Sequence, residues 1–171
     1  MAEMMGGVPQ GAEMDLVEFV VTGGRIEDTM PLPTRLSEIP PPPVDAESTR
    51  RAFRFNSMMM QHTINRRSFE LERVDVRVRR GRPEVWSIVN ESEFPHPVHI
   101  HSGQFRVLSR SGGRDRVMPW ERGLKDTVLA LPGEAIEVAV HFADYNGLFL
   151  MHCHNLEHED MGMMTNFLVG D

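Results

Sequence analysis

The sequence predicts an all-β domain, either a sandwich or a small barrel. Short runs rich in Val, Ile, Leu and Phe recur between turn signals from Ser48 to Val169, the pattern of short strands joined by tight connections. One run alternates strictly, with Ile136, Val138, Val140 and Phe142 interleaved with Glu137, Ala139 and His141. That period of two is what a strand buried on one face imposes. No stretch carries the periodicity of a long amphipathic helix, and no internal repeat is present.

Taken in order, residues 16–21 (LVEFVV) read as a short strand ended by Thr22, Gly23 and Gly24. Residues 30–44 then hold Pro31, Pro33 and the run Pro40 to Pro43, which makes a stiff, extended connector rather than a helix or central strand. Residues 1–47 are therefore expected to be the last strand of a preceding domain plus a linker, with a disordered arm as the other reading of the same composition. Residues 48–171 are the compact domain. Within it, Phe69, Leu71, Val74, Val76 and Val78 alternate with charged residues up to the turn at Gly81. Further runs lie at 85–89, 105–108 and 128–131, the last leading into the turn Pro132-Gly133-Glu134. The alternating run at 136–142 follows, and runs at 148–151 and 166–169 complete the series.

Composition narrows the function classes. The chain has 171 residues, a formal net charge of −7 and 40% apolar residues, which suits a globular domain with a real core. No apolar run approaches the ~20 residues of a membrane-spanning helix. The acidic balance argues against a nucleic-acid partner. The first fifteen residues lack the basic start and apolar stretch of a secretory signal. A single cysteine excludes an internal disulfide framework.

One item is out of proportion: eight histidines, six of them in two short clusters. The first cluster is His96-Pro97-Val98-His99-Ile100-His101. The second begins His152-Cys153-His154 and continues through His158 and Glu159 to Met163. Alternation along an extended chain sorts these residues. His99 and His101 share a face, and so do His152 and His154, whereas Cys153 and His96 have the opposite parity. Four imidazoles are thus offered to one site, and a thiolate with His96 to another directly behind it. His158 follows Cys153 by five residues and Met163 by ten, in a segment able to fold back over the sulfur. One Cys, two His and a weak axial Met are the ligands of a blue-copper electron-transfer centre. Structural zinc sites use more thiolates or a tidier tetrahedral set. A cupin-type iron site wants a carboxylate where this chain has Phe105 and Arg106. His62 and His141, outside both clusters, read as ordinary core or surface histidines. Met58 to Met60, Met161 and Met164 read as packing residues.

HPVHIH, the segment GLKDTV (123–128), LPGE (131–134) and HCHNLEHEDMGMM (152–164) resemble the C-terminal cupredoxin domain of multicopper oxidases, in the flavour of the bacterial laccase, cuprous oxidase and bilirubin oxidase group. The resemblance covers residues 51–169 and implies a Greek-key, cupredoxin-like sandwich or barrel. It also implies site roles. His96, Cys153, His158 and Met163 would bind a type 1 copper that accepts single electrons. His99 would bind the type 2 copper, and His101, His152 and His154 the type 3 pair, where dioxygen is reduced to water. Cys153 would be the catalytic link between the centres, and Glu159 matches a carboxylate used in proton delivery. A small reductant (a phenol, a bilirubin-like compound or a metal ion) would supply the electrons, and a periplasmic or extracellular setting is usual for such proteins. The position after His101 is commonly glycine in the family and is Ser102 here, which puts the local backbone in question.

This chain would hold only half of the imidazoles such a cluster takes, and no histidine occurs before His62. The remainder would come from an N-terminal cupredoxin domain, a partner, or self-association. The alternative reading is a standalone blue-copper electron carrier in which only the Cys153 site works.

Overall fold

The computed structural model describes residues 13, 15–24, 30–40, 43–59 and 61–171. Met60, Pro41, Pro42 and the opening twelve residues, which enter the readings above, lie outside them. The chain divides into two units, Met1–Ser37 and Glu38–Asp171.

In the first unit, residues 15–24 form neither strand nor helix. The strand expected at 16–21 is therefore not formed among the described residues. β propensity expresses how well a residue fits a pleated, half-covered surface, and no described segment pairs with this run. Its apolar side chains, Leu16 to Val21, are exposed.

The second unit begins at Glu38, ahead of the expected start at Ser48. The added residues are tied in by Arg106, whose Nη1 donates to the Pro40 carbonyl at 2.7 Å. Eleven strands follow: β1 Thr49–Met58, β2 Gln61–Ile64, β3 Val76–Arg79, β4 Glu84–Asn90, β5 His96–Ile100, β6 Phe105–Ser111, β7 Leu124–Lys125, β8 Thr127–Ala130, β9 Ala135–Val140, β10 Gly147–Cys153 and β11 Met164–Gly170. A 3-10 turn, Pro119–Glu121, precedes β7, and one short helix, α1 Leu156–Asp160, separates β10 from β11. The all-β expectation holds.

The strands form a six-stranded sheet in the order β2-β1-β4-β9-β6-β7 and a five-stranded sheet in the order β3-β11-β10-β5-β8. Neighbours are antiparallel except β1 with β4 and β3 with β11. The inner faces meet around Trp86, which is fully buried. Its ring lies 4.8 Å from Phe53 in its own sheet and 5.3 Å, edge-on, from Phe167 in the other. Such offset and edge-to-face contacts are the favoured aromatic geometries. The indole N–H donates to Glu84 at 2.8 Å, so the largest core residue leaves no polar atom unpaired. Along β9 and the two residues after it, Ile136, Val138, Val140 and Phe142 are buried and His141 is exposed, while Ala139 on the outward side is buried as well.

The alternation at 69–78 yields a strand only from Val76. Before it, the Asn166 side-chain amide donates to the carbonyls of Glu70, Leu71 and Arg73 at 3.0, 3.1 and 2.9 Å. Those carbonyls are satisfied by a side chain instead of a ladder. One glycine is sterically required. Gly112 has φ +79°, and a Cβ there would stand 2.3 Å from the Gly133 carbonyl oxygen, so the two turns meet backbone to backbone.

Candidate metal centre

The β5–β10 ladder builds the site. Its register sets His152 opposite His99 and Cys153 opposite Val98. Directly opposed residues share a face, so the two imidazoles project from one side of the sheet while Cys153 and Val98 enter the core, both fully buried. Where β10 ends, the His154 N–H donates to the Pro97 carbonyl at 2.6 Å, and α1 turns the chain back. The Met163 N–H donates to the His158 carbonyl at 2.9 Å, and the Cys153 N–H to the Met163 carbonyl at 3.1 Å. His158 and Met163 are thereby folded back toward the cysteine, and Met163 is fully buried.

Two groups of donors result. In the first, Cys153 Sγ lies 3.4 Å from His96 Nδ1 and 3.6 Å from His158 Nδ1, and the two Nδ1 atoms are 3.2 Å apart. Three ligands around a metal at bond lengths of ~2.0–2.3 Å stand about 3.5–4 Å from one another in a trigonal arrangement. The observed triangle is slightly smaller than that, and a small expansion fits an ion. The far nitrogen of His96 is engaged by the buried Ser92 hydroxyl at 2.7 Å, which in turn donates to Asn90 at 2.9 Å. The His96 ring is therefore aimed before any metal arrives. The Asn155 N–H reaches the sulfur at 3.5 Å, a contact that favours the thiolate.

The second group is His99, His101 and His152, whose ligand atoms all lie within 4.8 Å of one another. His101 Nε2 and His152 Nε2 are 3.1 Å apart. His99 Nδ1 contacts the Asp126 carbonyl at 2.9 Å and the Thr127 hydroxyl at 3.1 Å, which leaves its Nε2 as the free donor. His154 is exposed, with its ring centroid 5.2 Å from that of His152 and 5.7 Å from that of His99. It belongs to the same face without joining the tight triad. Glu159 stands 3.4 Å from His152 Nδ1, with about a third of its side chain exposed.

Burial sets the protonation of these groups. It pushes the Cys153 thiol up to about 11. It pushes His96 down to about 4, helped by the neighbouring His158 and His62. His158, His101 and His152 are likewise lowered, first by burial. These shifts favour the neutral form of those four imidazoles, which keeps a lone pair for a metal, while the thiol must release its proton to one.

Ser102, at the position where the resemblance favours glycine, has φ +68°, the left-handed region that glycine enters without steric cost. An L-residue there costs roughly 1–2 kcal/mol, against about 0.5–1 kcal/mol of extra chain entropy lost by glycine. Ser102→Gly is expected to leave stability unchanged or raise it by up to about 1 kcal/mol, while Ser102→Val lowers it by at least that amount. Urea denaturation of the three proteins checks both, and a stable Val variant would refute the strain.

One residue bearing on this region carries no signal in the sequence. His62, read as an ordinary histidine, is buried and stacked on His158 with ring centroids 4.3 Å apart. His141, the residue after β9, is exposed, on the outward side of that alternation.

A two-sheet β-sandwich with a buried Cys-His-His group and a histidine face behind it is a cupredoxin-like domain whose clustered donors could hold a metal. The profile of the multicopper oxidase family matches residues 39–171. The chain belongs to that family. It is 39% identical to a laccase of Haloferax volcanii over 97% of this chain and 30% of the laccase. With a bilirubin oxidase of Albifimbria verrucaria it shares 36% identity over 95% of this chain and 30% of that protein. Among solved structures, the laccase of Pediococcus acidilactici superposes with a TM-score of 0.78 at 34% identity, over 84% of this chain and 32% of the laccase. The chain thus spans about a third of the length of the relatives it matches. No helix among the described residues is long and apolar enough to cross a membrane.

Proposed function

We propose that this chain is the copper-binding domain of an oxidase that takes single electrons from a small reductant and delivers them to dioxygen. The observation that carries the reading is that one strand end serves both donor groups: the Cys153 sulfur lies in the first, and its chain neighbour His152 lies in the second. His96, Cys153, His158 and Met163 would hold a type 1 copper, His99 a type 2 copper, and His101, His152 and His154 a type 3 pair. Bound there, copper supplies one-electron transfer at the first group and reduction of dioxygen to water at the second.

The chain's own residues do the positioning. The Asn155 N–H supports the sulfur as a thiolate, Ser92 fixes the His96 ring, and the Asp126 carbonyl with Thr127 turns His99 outward. Glu159, partly exposed beside His152, is suited to carry protons between solvent and the second group. The remaining imidazoles would come from an N-terminal cupredoxin domain or from a second copy of the chain. The name of one relative, bilirubin oxidase, supports a bilirubin-like reductant; a phenol or a metal ion would serve the same one-electron role.

Copper loading tests this. The expected result is more than one copper per chain, an intense visible thiolate–copper band, and a second copper signal without that band. Oxygen uptake with a phenolic reductant should appear once the partner imidazoles are supplied. A blue monomer holding one copper, with no oxygen uptake even beside the companion domain, would overturn the oxidase reading in favour of an electron carrier.

A further inference from the structure

His62 lies outside both histidine clusters in the sequence, yet it is 93% buried by virtue of a 7% exposure. Strand pairing brings it in. β1 and β2 form a hairpin whose ladder sets Ser57 opposite His62, and the Ser57 hydroxyl lies 2.8 Å from His62 Nδ1. So anchored, the ring stacks on His158 with centroids 4.3 Å apart and planes inclined by 25°. His62 is not itself one of the clustered donors, which are His96, Cys153 and His158.

The two imidazoles of that group are held by different means. His96 is fixed through its far nitrogen by Ser92. The side-chain hydrogen-bond contacts of His158 both run through Nδ1, toward Cys153 and His96, so they cannot orient the ring once that nitrogen takes a metal. Its helix, α1, is only five residues long. Phe94 touches the ring edge-on at a centroid distance of 6.1 Å. The broad contact that fixes the plane of His158 is His62.

We infer that His62 is a positioning residue of the first donor group: held by Ser57, its ring sets the plane of His158 and thereby the affinity and electronic character of a metal bound there. The inference rests on the copper reading above. Partners that orient a metal-ligating imidazole typically govern about 10–100-fold of metal affinity, and a stacked ring does this through its face rather than through a hydrogen bond.

The full chain, loaded with copper, tests it in four forms: wild type, His62→Ala, His62→Phe and Ser57→Ala. Copper affinity by chelator competition, the visible band and the reduction potential are read for each. His62→Ala is expected to weaken copper about tenfold or more and to move both the band and the potential. His62→Phe, which keeps a ring in place, restores them toward wild type, and Ser57→Ala falls between. Should His62→Ala fail to fold, Ser57→Ala carries the test through its potential. A His62→Ala protein with wild-type band, potential and affinity overturns the inference. So does one whose only change is a lower melting temperature of the metal-free chain. If the wild-type chain itself gives no thiolate–copper band, the copper reading fails and takes this one with it.

Discussion

Cys153→Ser is expected to abolish the visible thiolate–copper band and to weaken copper at the first donor group by at least about 100-fold. The sulfur is the only soft anionic donor in the chain, and a serine hydroxyl does not ionise near neutral pH. The metal-free fold should tolerate the change. The new oxygen would sit in the same buried position, with His96 Nδ1 and the Asn155 N–H, now 3.4 and 3.5 Å from the sulfur, as partners. A loss of only about 1 kcal/mol is expected for a buried hydroxyl so satisfied. The second donor group, His99, His101 and His152, does not use the sulfur, so copper retention there should persist. Absorption, copper content and circular dichroism together check this. A surviving band would exclude the sulfur as ligand, and loss of the fold would exclude the isosteric argument.

Glu134→Gln is expected to cost about 3–5 kcal/mol, the range for breaking a buried ion pair from one side. Arg110 and Glu134 have no exposed side-chain surface, and Glu121 has 6%. The Glu134 carboxylate accepts from Arg110 Nη1 at 2.8 Å, from Arg114 Nε and Nη2 at 2.8 and 2.7 Å, and from the N–H groups of Leu131 and Arg114 at 3.0 Å each. Arg110 also pairs with Glu121, which ties the 3-10 turn to the Leu131–Glu134 turn. An amide in place of the carboxylate points two N–H groups at donors and leaves Arg110 short of an anion.

The same network sets a pH dependence. Burial alone would raise the Glu134 carboxyl, but the hydrogen bonds from Arg114, Leu131 and the charge of Arg110 outweigh it and hold the group down at about 2, against 4.5 for the free side chain. A group depressed on folding stabilises the fold above its unfolded value and loses that contribution as pH falls through the folded one. About 3 kcal/mol should therefore be present above pH ~4.5 and disappear between there and pH ~2. Denaturant titrations at descending pH should show the wild-type loss and a flatter curve for Glu134→Gln; identical slopes would refute the assignment.

What could be read from the sequence was local. The facing of His96, His99, His101, His152 and Cys153 follows from parity within single strands, and the β9 alternation from one-sided burial. β1 escaped because six of the ten residues of Thr49–Met58 are polar or charged, and their neutralisation is not local. Arg50 pairs with Glu137, Arg51 with Glu84 and Arg54 with Glu91, on strands and connections far along the chain. Its inward Phe53 and Phe55 are fully buried, beside the rings of Trp86 and His96 respectively. Residues 69–75 alternate and yet make no strand, because Asn166, some ninety residues on, takes their carbonyls. His62 was invisible for a related reason: in a four-residue strand, which ring it meets depends on the hairpin register and on α1. Glu134 stood out as part of LPGE, but its role needs Arg110 and Arg114.

The wide spacing of the donors along the chain has a kinetic consequence. His96 and Cys153 are 57 residues apart, and His96 and His158 are 62, so the loop entropy of bringing them together must be met before any metal can be gripped. The parallel pairing of β3 with β11 joins segments still farther apart. Topologies dominated by such non-local contacts fold slowly. The unfolded chain offers no preformed donor set, so metal would be gripped only once β10 and β11 have docked on β5. From that moment every increment of binding adds to the stability of the folded state. The docking of β10 and β11 on β5 would thus gate metallation.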